Sequence, residues 1–421
     1  MHCTRRSFMG ATLAGIGALA LPRQANAAGP HNLIVVFARG AWDPVWTIDP
    51  KVAVDNPDID VPAGAIKKFL ANKISVLTDP TRPNIEAFFA AHADQCAVVR
   101  GINVGSISHF GSHVRMMTGT RTELNPDVAA ITGVKLGQGL ALPYADIGGG
   151  AYAGPYAAQM GRLGRHNQVV TLLNRDKAFT PATQVDYADA PLLVPTDAEA
   201  KQVRAYIEAR TARAALVRGA QGDNARRLTD YGECFDRADD LRGIEALQKL
   251  QLSGAGELSG QIELALTMLM TSSSSVYLDS GQDWDTHTFI ADQGTSANVL
   301  FGDLALLMTR LKETKLLAKT TVVVMSEMGR TPKLNAVGPT AGKDHWPVTS
   351  AMVLGAGVKA GAYGGTDMKL NARNVDLVSG AAKDGGSPLR YDNFAAGVLK
   401  LVGVDPQEWL PDVAPMQGFI S

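Results

Sequence analysis

Short, uninterrupted apolar runs alternate with longer stretches of helical periodicity along most of this chain. The run NLIVVFARG at 32–40 is apolar almost throughout and ends at glycine, the pattern of a strand covered on both faces in a parallel sheet. CAVVR (96–100), SVYLD (275–279), TTVVVMS (320–326) and SAMVLG (350–355) read the same way. Between them, NIEAFFAAHA after Pro83, LSGQIELALTMLMTS, ANVLFGDLALLMTRLKE and NFAAGVLKLVG carry the spacing of amphipathic helices. Strands alternating with helices predict a doubly wound α/β domain over 28–421, with a mostly parallel sheet and helices on both faces. Residues 196–252 break the rhythm. Rich in Ala, Arg, Asp and Glu and without a strand pattern, they predict a helical insertion covering one face.

The N-terminal stretch belongs to another category. Residues 1–27 join TRRSFMG to the apolar ATLAGIGALAL and end at Ala25-Asn26-Ala27, the basic, greasy and small-residue order of an export signal. Arg5 and Arg6 followed by Ser7 and Phe8 give it twin-arginine character. The expectation is therefore export by the twin-arginine translocase as a folded protein, to a periplasmic or secreted location. The apolar run is shorter than the ~20 residues a bilayer helix requires, and no later window reaches that length, so no stable span is expected after processing.

Composition narrows the function classes. With 46% hydrophobic and 19% charged residues, and 40 Lys+Arg against 41 Asp+Glu, the chain is neither a disordered chain nor a coiled coil. Nor is it a nucleic-acid binder working through bulk positive charge. Cys96 and Cys234 lack the spacing of a metal site or redox pair and are expected as free, buried thiols.

In a parallel sheet, ligands collect beyond the carboxyl ends of the strands, and here those positions are strongly polar. Arg39 and Gly40 close the first run and Asp43 follows it; Ser108, His109, His113 and Arg115 follow CAVVR within GINVGSISHFGSHVRMMTG. Asp283, Asp285 and His287 follow SVYLD, while Glu327, Arg330, Asp344 and His345 follow TTVVVMS. Residues two apart in an extended loop project to one side, so Asp283, Asp285 and His287 can share a cation; Asp285 or Thr286 as a helix cap is the alternative. His345 beside Asp344 is either a ligand or a buried histidine. Glu327 at the end of an apolar strand needs a partner, either Arg330 or a metal. Ser108 sits where a helix should begin, as a nucleophile or as an N-cap, and His109 is ligand, base or nucleophile.

Taken together, TRRSF, NLIVVFARGAWD, SHFGSHVRMMTG, DWDTHT, SEMGR and GKDHWP followed by VLGAGVKAGAYGG resemble the exported family known as domain of unknown function 1501. That family is related to sulfatases within the alkaline phosphatase superfamily. The resemblance implies an alkaline-phosphatase-like α/β fold whose strand-end loops bind one or two divalent metal ions beside a nucleophile. By position, Asp43 would stand for the first-strand aspartate and Glu327 for the later carboxylate, with Asp283, Asp285, His287, Asp344 and His345 completing the ligands. The sulfatase nucleophile position falls on His109, next to Ser108, so formylglycine chemistry is not expected. The paired aspartates after the first strand are replaced by Arg39 and Gly40. A phosphate or sulfate ester hydrolase follows as the expected activity, with Arg39 and Arg115 gripping an anionic small molecule or polymer. The alternative is a non-catalytic periplasmic binding protein on the same fold.

Overall fold

A computed structural model describes residues 32–163, 196–219, 223–244 and 256–421. The expected signal at 1–27 lies outside the described residues. Eight strands form the central sheet: β1 (Asn32–Phe37), β2 (Cys96–Asn103), β3 (Tyr144–Asp146), β4 (Met160–Arg162), β5 (Ser275–Asp279), β6 (Thr320–Met325), β7 (Val348–Gly355) and β8 (Gly361–Gly364). Their order is β8-β2-β7-β6-β1-β5-β3-β4. Every neighbouring pair is parallel except the two that involve β7. The segment 326–347 between β6 and β7 contains no helix. β7 runs back antiparallel to β6, an arrangement that a connection without a helix readily makes.

The apolar runs sit at the centre because both faces of the sheet are covered. Alternate residues of β1 serve opposite layers. Ile34 and Val36 pack with Phe88 and Phe89 of α1 (Pro83–His92), Ile262 of α6 (Leu258–Thr271) and Leu300 and Leu304 of α7 (Asp292–Glu313). Leu33, Val35 and Phe37 pack with Met116 and Met117 of α2 (His109–Thr118), Ile131 of α3 (Val128–Leu136) and Phe394 and Val398 of α8 (Tyr391–Leu401). The described part of 196–252 holds two helices, α4 (Asp197–Arg218) and α5 (Asn224–Gly243), which pack on each other. A capping box at Thr196 and Glu199 starts α4. Among the described residues no helix is long and apolar enough to cross a membrane.

Cys96 is free and buried in β2, where burial pushes its thiol pKa up. Cys234 is free but exposed on α5, contrary to the expectation of two buried thiols. The charged helical surround that made it look structural is a solvated face.

Candidate functional site

Three adjacent parallel strands, β5, β1 and β6, end at one edge, so the loops after them meet there although they are far apart in sequence. Gly40, at the end of the first strand, has φ +117°, and a Cβ on it would lie 2.6 Å from the Asp285 nitrogen. Only glycine lets the first and fifth strand-end loops come this close. Gly40 N–H donates to Glu327 Oε1 at 2.8 Å, and Ser326 Oγ donates to Glu327 Oε2 at 3.0 Å.

Glu327 is almost fully buried and lies 2.8 Å from His109 Nδ1 through Oε1. Burial pushes its pKa up, but the His109, Gly40 and Ser326 bonds hold it below the usual carboxylate range. The same bond raises His109 above the ordinary histidine value. Glu327 is thus satisfied by a histidine, a backbone amide and a hydroxyl, and not by Arg330. Arg330 instead donates to the carbonyls of Ala41 and Lys343 at 2.8 and 2.9 Å, to those of Gly40 and Trp284, and to Asp285 Oδ1 at 2.6 Å.

Asp285 is where the histidines meet. His109 Nε2 lies 3.3 Å from its Oδ2, and the Nε2 atoms of His287 and His345 each lie 3.3 Å from its Oδ1. The two latter Nε2 atoms are 2.9 Å apart. Candidate ligand atoms of His109, Asp285 and His345 all fall within 4.8 Å of one another. Each ring is tethered through its other nitrogen: His109 Nδ1 to Glu327, His287 Nδ1 to Asp344 Oδ1 at 3.0 Å, and His345 Nδ1 to the Ile107 carbonyl at 2.9 Å. Outer-sphere carboxylates and carbonyls that anchor one imidazole nitrogen while the other points at a shared centre are the usual support of a metal site. Burial pushes the Asp285 pKa up, but Arg330 and His345 bring it down to about 2. His345 is lowered by burial, which favours its neutral, ligating form. His109 Nε2 is itself buried and has no hydrogen-bond partner among the described residues, so it faces the shared centre unengaged.

The other sequence candidates fall elsewhere. Asp43 is buried, bonded to Lys343 Nζ at 2.7 Å and to the Val45 amide at 3.1 Å, so its carboxylate is committed to an ion pair and a helix cap rather than to a metal. Asp283 Oδ1 accepts from the Asp285 amide at 3.0 Å and shapes the loop. Asp344 stands behind His287 as its anchor. Arg115 Nη1 donates to the Val104 carbonyl at 2.8 Å and to that of Gly105, so this nitrogen holds the loop after β2. Ser108 occupies the N-cap position of α2 without a side-chain capping bond and is exposed. Arg39 borders a cavity of about 600 Å³ together with His109, Asp279, Asp283 and Asp285. Lys343 was missed by sequence reasoning; its only signal was a cation beside Asp344 in GKDHW.

The family model described as "Protein of unknown function (DUF1501)" matches residues 30–414. No curated protein matches the chain by sequence. Among solved structures, the chain is similar to the PsFucS1 sulfatase from Pseudoalteromonas sp., at 12% identity and TM-score 0.37, over 89% of this chain and 68% of that one. It is also similar to an alkaline phosphatase from the Antarctic bacterium TAB5, at 10% identity and TM-score 0.37, over 90% and 99% of the two chains. A phosphonate monoester hydrolase from Silicibacter pomeroyi is similar at 10% identity and TM-score 0.34, over 91% and 77%.

Proposed function

This chain belongs to the family described as protein of unknown function, DUF1501, and for it we propose an exported, metal-dependent hydrolase of a phosphate or sulfate ester. The observation that carries the reading is the set of three imidazoles, each tethered through Nδ1, whose Nε2 atoms all lie 3.3 Å from the Asp285 carboxylate. A carboxylate with several neutral imidazoles is a donor set suited to a divalent cation such as zinc or manganese. Asp285, His287 and His345 would hold the ion, and His109 faces the same centre. Such an ion supplies Lewis acidity for an ester oxygen and favours a deprotonated nucleophile.

The remaining chemistry belongs to side chains of this protein. Glu327 keeps a proton on His109 Nδ1, which leaves Nε2 as an acceptor toward the reaction centre; His109 then takes or returns the proton of the attacking or leaving oxygen. Arg330 fixes Asp285, so the carboxylate does not swing to another partner. Arg39, half-exposed at the cavity wall, offers a planar donor fork to a tetrahedral anion. Export is supported by the order of residues 1–27.

Elemental analysis of the exported protein, paired with aryl phosphate and aryl sulfate turnover, tests this reading. Expected are a stoichiometric divalent metal, its loss in His345→Ala, and turnover of at least one ester class. A metal-free protein whose His287→Ala and His345→Ala variants melt like the parent overturns it. Stoichiometric metal without turnover of either class supports the binding-protein alternative.

A further inference from the structure

Two cavities meet at the histidine cluster, and their walls differ in charge. The one of about 600 Å³ is bordered by Asp279, Asp283 and Asp285. Its neighbour of about 300 Å³ is bordered by Arg39, Arg162, Phe110 and Tyr152, and His109 and Arg39 border both. In the smaller cavity each guanidinium has its counter-ion behind it. Arg39 lies 3.6 Å from Asp279 and Arg162 lies 3.6 Å from Asp146, both beyond hydrogen-bond distance. The arginine side chains are 50% and 44% exposed, whereas those carboxylates are 23% and 0% exposed. What faces the cavity is therefore cation, held in place by acids underneath. Glu327 also borders it but is buried and bonded to His109.

The wall around the arginines is built rather than incidental. Gly150 lines the cavity, and a Cβ there would lie 2.8 Å from Arg39 Nη2 and 2.3 Å from the buried Tyr277 hydroxyl. The glycine thus admits the guanidinium at this position. Phe110 is 62% exposed at the cavity rim, an apolar surface that would cover a flat ring.

We propose that the smaller cavity is a subsite for a second anionic group, such as a carboxylate, sulfate or phosphate, carried on a ring attached to the scissile ester. An ester reacting at His109 can extend in two directions. Asp279 and Asp283 repel a negative arm from the larger cavity, while Arg162 and an aromatic rim receive it in the smaller one, with Arg39 on the scissile group between them. The substrate is thus a doubly anionic ester, and Arg162 is the residue that sets this preference.

This proposal rests on the hydrolase reading for its orientation, so its test uses binding and needs no turnover. Calorimetry compares phenylphosphonate with para-carboxyphenylphosphonate, neither of which is an ester. The carboxylated probe is expected to bind the parent protein more tightly by roughly ten- to a hundredfold, the value of one charge-assisted contact. Arg162→Gln should abolish that preference ratio and Arg162→Lys should restore part of it. Equal binding of the two probes by the parent, or a ratio unaltered in Arg162→Gln, overturns the proposal. If no ester is turned over while the ratio behaves as expected, the hydrolase reading falls and the anion subsite stands.

Discussion

Among the described residues the Asp344 carboxylate touches no candidate ligand other than His287, whose Nδ1 lies 3.0 Å away, and it also accepts from Asn335 at 3.2 Å. Those bonds hold its pKa below the usual carboxylate range, so it is present as a carboxylate at neutral pH. Asp344→Ala removes the anchor without removing a ligand. The expected result is a roughly ten- to a hundredfold loss of metal affinity with little change in melting temperature, read by competition with a chelator. The residue scale is also where sequence reading was least secure. Asp43, Asp283, Asp285 and Asp344 are all aspartates in strand-end loops, yet one is in a buried ion pair, one shapes a turn, one faces three imidazoles and one supports a ring. Nothing in residue type separates these uses, because each is decided by which side chain from another loop arrives opposite.

At the scale of elements, the end of β1 shows how close two loops must come. Gly40 takes φ +117° and leaves no space for a side chain against the backbone of Asp285. Gly40→Ala should cost about 1–3 kcal/mol in a denaturant titration and should also weaken metal retention, because relief of the clash moves Asp285 away from its histidines. The strands themselves were legible: the five apolar runs all lie in the sheet, at or within a few residues of the expected limits. The short strands β3, β4 and β8 were not, since three or four residues of mixed polarity carry no periodicity to read. The reversed direction of β7 was also invisible, as an apolar run reads alike in either orientation.

Across the whole molecule, the site is supported by groups that the α2 layer keeps out of water. His113 packs edge-on against Phe37 with ring centroids 4.5 Å apart, and its Nδ1 lies 2.8 Å from the Tyr152 hydroxyl. Burial, aided by Arg39 nearby, lowers its pKa from 6.5 to about 4. Between these values the unfolded chain binds a proton that the native protein does not, so stability is highest above pH 6.5 and falls as pH drops toward 4. This one group should account for about 2–3 kcal/mol of that fall. Denaturant midpoints measured across the window should flatten in His113→Gln relative to the parent; an unchanged slope would mean that His113 is already charged in the fold.

The order of apolar runs and helical periods by itself determined a layered α/β domain with its polar loops at strand ends, because burial on both faces leaves little freedom for such segments. Only the tertiary structure decided which of those polar residues meet. Contacts between Gly40 and Asp285, His109 and Glu327, or Lys343 and Asp43 span hundreds of residues. Strand order and register set such pairings, and local pattern contains neither.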